Sequence, residues 1–197
     1  MNIGNNFFKS FYIYNYWRRF IMTKAKWNVD TVHSEVGFSV RHMMISTVKG
    51  EFTDFDGNFE LDPQDLTDAS IDFTIDANSI NTGMSGRDDH LRSDDFFDVE
   101  NHPKLTFTAT EIKQTSKDKY DMTGDFTIRG TTKPITFEVE FEGLAKDPMS
   151  GDEAAGFTAN TKINRKEFGL TWNAAVETGG VVVSDDVKIN LEIQLRK

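Results

Sequence analysis

An all-β domain, with eight half-buried strands closed into an antiparallel barrel and one or two short helices in its long connections, follows from three features of this sequence. Apolar and polar residues alternate strictly, with period two, in run after run. Successive side chains of a strand point to opposite faces, so each run has one dry and one wet face. Neighbouring runs are joined by short polar turns, which means antiparallel pairing. No long amphipathic helix is available to cover the dry faces, so the sheet must bury them against itself, by closing into a barrel or folding into a tight sandwich. The charged outer parity of nearly every strand favours the barrel over a two-layer α+β fold. A parallel α/β sheet would read apolar on both faces of its strands and is excluded.

The runs follow in order. Val36/Phe38/Val40 comes first, then Phe55/Gly57/Phe59/Leu61. Within 48–61 the apolar parity slips between Phe52 and Phe55, which marks a bulge or bend near Asp54. Ala69/Ile71/Phe73/Ile75/Ala77 alternates with Ser70, Asp72, Thr74 and Asp76. In the long connection 79–103, Ser85 followed by Asp88 resembles a capping box leading into a helix over Arg87–Ser93. Phe96 and Phe97 come next and need cover. Leu105/Phe107/Ala109, Tyr120/Met122/Gly124/Phe126/Ile128 and Ile135/Phe137/Val139/Phe141 are three further strands, the last with Glu138, Glu140 and Glu142 outward. Gln114–Lys119, Arg129–Pro134 and Lys146–Gly151 read as hairpin loops. Phe157/Ala159/Thr161/Ile163 and Val187/Ile189/Leu191/Ile193/Leu195 complete the eight. Between them, 164–170 reads as a short turn, and Trp172–Thr178 as one or two helical turns stopped by Gly179-Gly180. The two long connections are natural lids for the barrel mouths.

Composition narrows function. The chain has 197 residues, no cysteine and a formal net charge of −10. Thiolate nucleophiles and Cys-ligated metals are therefore absent, and the overall field opposes non-specific binding to nucleic acid or to an anionic membrane surface. Residues 1–26 differ from the rest: they hold Lys9, Arg18, Arg19, Lys24 and Lys26, many aromatics and no acid. Asn15 and the Arg18-Arg19 pair break any signal-peptide or transmembrane apolar run. This segment is expected to be a disordered tail or an over-extended gene start with Met22 as the true first residue, leaving a barrel domain over 27–197 and a cytoplasmic location.

Recognisable chemistry is sparse. His33, His42, His90 and His102 show neither H-E-x-x-H spacing nor helical pairing, so capping or surface roles are favoured over a metal site. Asp54–Asn58 fails as a calcium loop because the position that needs glycine is Phe59. Asp88-Asp89-His90 is the densest titratable cluster, and its simplest reading is acid at a helix N-terminus. What remains is the interior, and alternation alone does not separate a filled core from a hollow one.

Trp27-Asn28-Val29-Asp30, His33-Ser34, Val36-Gly37-Phe38, Val40-Arg41-His42 and Val48-Lys49-Gly50-Glu51-Phe52 resemble the opening of the YceI-like family of lipid- or polyisoprenoid-binding proteins. So do Ser79–Thr82, Arg87-Asp88, His90–Ser93, Asp95–Asp98, Leu105-Thr106-Phe107, Gly124–Gly130, and Asn164-Arg165 with Phe168-Gly169. The match runs from Trp27 onward and is closest to short, signal-less Gram-positive members of uncharacterised function. The resemblance implies a lipocalin-like barrel with an elongated apolar cavity, holding an isoprenoid, quinone or fatty-acid-like chain without catalysis or cofactor. The tail is then expected against Phe38, Val40, Phe59, Ile71, Phe73, Ile75, Leu105, Phe107, Phe126, Ile128, Phe137, Val139 and Phe157. Phe96, Phe97, Phe168 and Trp172 become mouth or lid residues. Arg87, and after it Arg41, is placed to meet an anionic head, unless Arg87 pairs with Asp88 or Asp95. The partner is then a long-chain lipid, with no nucleic acid and no stable membrane insertion, and a homodimer stays open. Two other readings also stay open: an enzyme centred on Asp88/His90, and a closed structural or partner-binding barrel.

Overall fold

The computed structural model describes residues 24–175 and 181–197. Its strands are β1 (Ala25–Val29), β2 (Glu35–His42), β3 (Ser46–Phe52), β4 (Phe55–Asp62), β5 (Asp65–Asp76), β6 (Ile80–Asn81), β7 (Lys104–Ser116), β8 (Lys119–Ile128), β9 (Thr131–Lys146), β10 (Glu153–Asn164) and β11 (Val183–Arg196). One helix, α1 (Ser85–Arg92), lies between β6 and β7. Three pairs of short strands act as single bent staves: β1 with β2, β3 with β4, and β5 with β6. The ring is therefore an eight-stave up-and-down barrel in which each stave pairs with its neighbours in sequence. β11 closes it, meeting β1 at Asn28↔Arg196 and β2 at Leu191↔Val36.

The break between β3 and β4 falls at Thr53 and Asp54, where the apolar parity slips. A second break separates β1 from β2, and there β11 would be left without backbone partners. Asp30 and Ser34 supply them: the Asp30 N–H donates to the Gln194 carbonyl (2.8 Å), and the Gln194 N–H donates to Ser34 Oγ (2.9 Å). The Asp30 carboxylate also binds His33 Nδ1 (2.8 Å), Gln194 Nε2 (3.0 Å), the Val32 N–H (3.1 Å) and the Arg196 guanidinium.

Burial raises the carboxyl pKa of Asp30, but the bonds from His33 and Val32 and the Arg196 charge outweigh it, and the net shift is downward. A depressed folded pKa contributes stability above the unfolded value of about 3.9, and that stability is lost as pH falls through the folded value. Asp30→Asn is accordingly expected to melt below wild type at neutral pH, with the gap closing in acid below about pH 4. Melting curves across pH test this, and a gap that persists unchanged at low pH would reject it.

Apolar parity faces inward on every stave. Gly124 is required by a close approach, since a Cβ there would collide with the Phe107 ring and the Thr108 carbonyl. Turns are tighter than the sequence indicates. β8 and β9 are joined by Arg129-Gly130 alone, both at positive φ, and Thr131–Pro134 already belongs to β9. The end at which the first and last staves meet is closed by Trp27, Leu61, Leu66, Tyr120 and Leu195, each at most 2% exposed. Trp27 Nε1 donates to the Leu61 carbonyl there.

Two local expectations are corrected. Helix α1 starts at Ser85, two residues earlier than expected, and Ser85 is not its cap. Met84 occupies the cap position with no side-chain bond, and the Asp88 carboxylate accepts from the Thr82 N–H instead. Trp172–Ala174 is not helical, and Ala175 bridges Val181. Residues 176–178 of that expected helix lie outside the described residues. Both long excursions, described over 77–103 and 165–175, cover the same mouth, because β5, β8 and β10 all run toward that end.

Candidate functional site

Alternation on eight staves gives a lumen walled almost wholly by hydrocarbon. Its side chains leave two abutting voids, with about 100 Å³ and about 110 Å³ open to the centres of water-sized atoms. Ile75, Phe126 and Ile189 line both and form the waist between them. The first void lies toward the closed end, and Phe59, Ile71, Phe73, Phe107, Phe137, Val139 and Phe157 face it. The second lies under the excursions and is lined by Phe38, Val40, Phe96, Phe97, Leu105 and Ile128. Fifteen of the residues singled out in the sequence thus fall on these two walls. 

Ala159, on β10, also faces the first void. β11 supplies a wall that was not singled out, with Ile189, Leu191, Ile193 and Leu195 inward. Its alternation was the signal that could have found them. Leu61, Leu66 and Met122 join the first void, and Val36, Phe52, Leu91, Ile163, Leu170, Val183 and Val187 join the second.

Four of the expected residues lie off both walls. Phe168 is fully buried beside Phe126 at a ring separation of 5.9 Å. Trp172 sits in an aromatic seam with His90 (4.7 Å) and Phe96 (5.3 Å) that joins the two excursions over the mouth. Arg129 ties the same excursions together, donating to the Asp94 and Gly169 carbonyls. Arg87 donates to Thr82 Oγ1 (2.7 Å) and the Thr82 carbonyl (2.8 Å), and forms no ion pair with Asp88 or Asp95. Arg41 is exposed at the β2–β3 turn. Asp88 and His90 have separate partners: Asp88 accepts from the Thr82 N–H, and His90 Nε2 lies 2.9 Å from Asp95. Among the described residues, no three His, Asp or Glu side chains gather as a metal site.

One charged residue on the wall escaped sequence reasoning. Arg165 is 4% exposed and borders the second void. Its guanidinium donates to the carbonyls of Ser184 (2.9 Å), Leu170 (2.6 Å) and Trp172 (2.8 Å). Burial lowers its pKa, while Asp185 acts in the opposite direction. With its donors spent on backbone, the wall offers an incoming molecule apolar surface and almost nothing to hydrogen-bond. A polar ligand would lose its hydration there without compensation, whereas a hydrocarbon chain would not.

Known proteins share this architecture. Residues 27–195 match the YceI-like domain. A UPF0312 protein of Staphylococcus epidermidis is 44% identical over 164 residues, covering 83% of this chain and 93% of that protein. The crystal structure of a Campylobacter jejuni YCEI protein superposes with a TM-score of 0.68 at 35% identity, covering 80% of this chain and 89% of that one. A polyisoprenoid binding domain from Saccharophagus degradans shares the fold at a TM-score of 0.64 and 17% identity, over 87% of this chain and 98% of that one. Closed ring, spaced motifs and family match agree, and the chain belongs to the YceI-like domain family.

Proposed function

We propose that this barrel binds, carries or stores one long-chain amphiphile, such as an isoprenoid, quinone or fatty-acid-like lipid, and that it does so without catalysis. The observation that carries this reading is the pair of abutting apolar voids, whose one charged wall group already has its donors occupied. Each methylene withdrawn from water contributes about 0.8 kcal/mol, so a dry tunnel retains a tail without directional contacts. The tail would lie along the residues of the two walls, across the Ile75/Phe126/Ile189 waist, with its polar head at the mouth covered by the two excursions. Arg87 stands at the head in this reading. The polyisoprenoid-binding name of the Saccharophagus degradans domain supports the ligand class through shared fold. Solvent extraction and native mass spectrometry of the purified protein are expected to release a long-chain amphiphile at one per barrel. Protein that arrives empty and takes up neither fatty-acid nor isoprenoid probes would refute it.

A further inference from the structure

The β2–β3 turn is built against its own interests. Met43 and Met44 are its central residues, and both have positive φ, at 49° and 61°. The Ile45 N–H closes the turn on the His42 carbonyl. Such a turn favours Asn-Gly, and bulky side chains are strained in it. The strain is not offset by packing, because Met43, Met44 and Ile45 are 42%, 59% and 79% exposed. Neither local conformation nor the core therefore explains three consecutive apolar residues at this tip.

Charge around the tip is also unlike the rest of the molecule. From Val36 to Gly50 there is no acid, while Arg41 and Lys49 stand exposed on the outer face of the hairpin. The Arg41 guanidinium is held at the base of the turn by the Met44 carbonyl (2.7 Å) and Thr47 Oγ1 (3.2 Å). The nearest acids on β11 are already matched, Asp185 with Lys166 and Asp186 with Lys162, each at 3.0 Å. The inner face of the same hairpin, through Phe38 and Val40, walls the second void. β3 meets β6 only at Glu51 and Phe52, so no strand lies beside the outer edge of Ser46–Gly50.

We propose that the Met43-Met44-Ile45 tip docks the barrel on a lipid bilayer, with the three side chains entering the headgroup–acyl boundary and Arg41 and Lys49 meeting lipid phosphates. An apolar tip flanked by cations is the chemistry such a boundary accepts. The acids elsewhere on the barrel do not prevent it, because at physiological salt their field is screened within about 8 Å. Docking there sets the wall of the second void against the membrane. This goes beyond the carrier reading by naming where cargo is exchanged.

The test is flotation of the full chain with phosphatidylcholine vesicles, with and without phosphatidylglycerol, comparing wild type with the double variant Met43→Asn/Met44→Gly. The variant suits the turn and is expected to melt at or above the wild-type temperature, so unfolding does not account for lost binding. Wild type is expected to float, and the variant to partition at least about tenfold less. Cargo recovered by extraction should be equal in the two proteins. Wild type that does not float on either vesicle, equal flotation of both proteins, or a self-associating wild type whose dimer the variant abolishes would each overturn docking. If neither protein holds cargo but flotation still differs, the carrier reading falls and docking stands.

Discussion

Arg165→Met is expected to melt about 10 °C below wild type, from a loss of about 3–4 kcal/mol at about 2–4 °C per kcal/mol for a domain of this size. Methionine matches the stem of the side chain and keeps the wall of the second void apolar, so packing changes little. What is lost is the fork that holds three carbonyls, Leu170 and Trp172 of the excursion and Ser184 of β11. Left without donors in a buried place, each costs about 1–3 kcal/mol, reduced by relief from burying a charge. Arg165→Lys should recover less than half of the loss, since an ammonium group does not reproduce the planar spread of donors. Hydrogen exchange in 165–175 and 181–184 should accelerate in both variants. A melting temperature within two or three degrees of wild type would show that the excursion is held by other contacts.

On the proposed carrier function, Ala159→Phe is expected to abolish recovery of an extractable amphiphile while leaving the barrel folded. Ala159 faces the first void between Val139 and Leu191, its partners on the neighbouring strands. A ring placed there enters existing space, so the fold should lose no more than about 1–3 kcal/mol. The measurement is extractable lipid per mole of protein beside a melting curve. Undiminished recovery from a well-folded variant would remove the tail from this compartment. Leu191→Phe, on the adjacent strand, serves where the first variant fails to express.

Strand periodicity carried most of the barrel. Each inward parity is a local property, and eight of them with short turns leave little choice but closure. The bend at Thr53-Asp54 was visible for the same reason, as a slip in period. Features fixed by tertiary partners were less legible. Ser85 has the spacing of a cap, but the Asp88 carboxylate it should have accompanied is taken by Thr82, beyond the helix. Gly179-Gly180 invited a helix stop after Trp172, whereas Ala175 pairs with Val181. The contrast between two arginines is sharper. Arg87 stood out as a partner for an anionic head, with Asp88 or Asp95 as the alternative, yet it bonds to Thr82. Arg165 looked like an ordinary turn residue, because the carbonyls of Leu170, Trp172 and Ser184 that draw it inward come together only in the folded chain.

Closure of the ring through β11 has a consequence for biosynthesis. That strand pairs with β10 on one side and with both β1 and β2 on the other. A nascent chain still lacking it is an open, curled sheet with an oily concave surface and two bare edges, a form prone to clumping. Its earliest stave must therefore wait for its last, so folding completes only after β11 leaves the ribosome, and a chaperone is most useful in that interval.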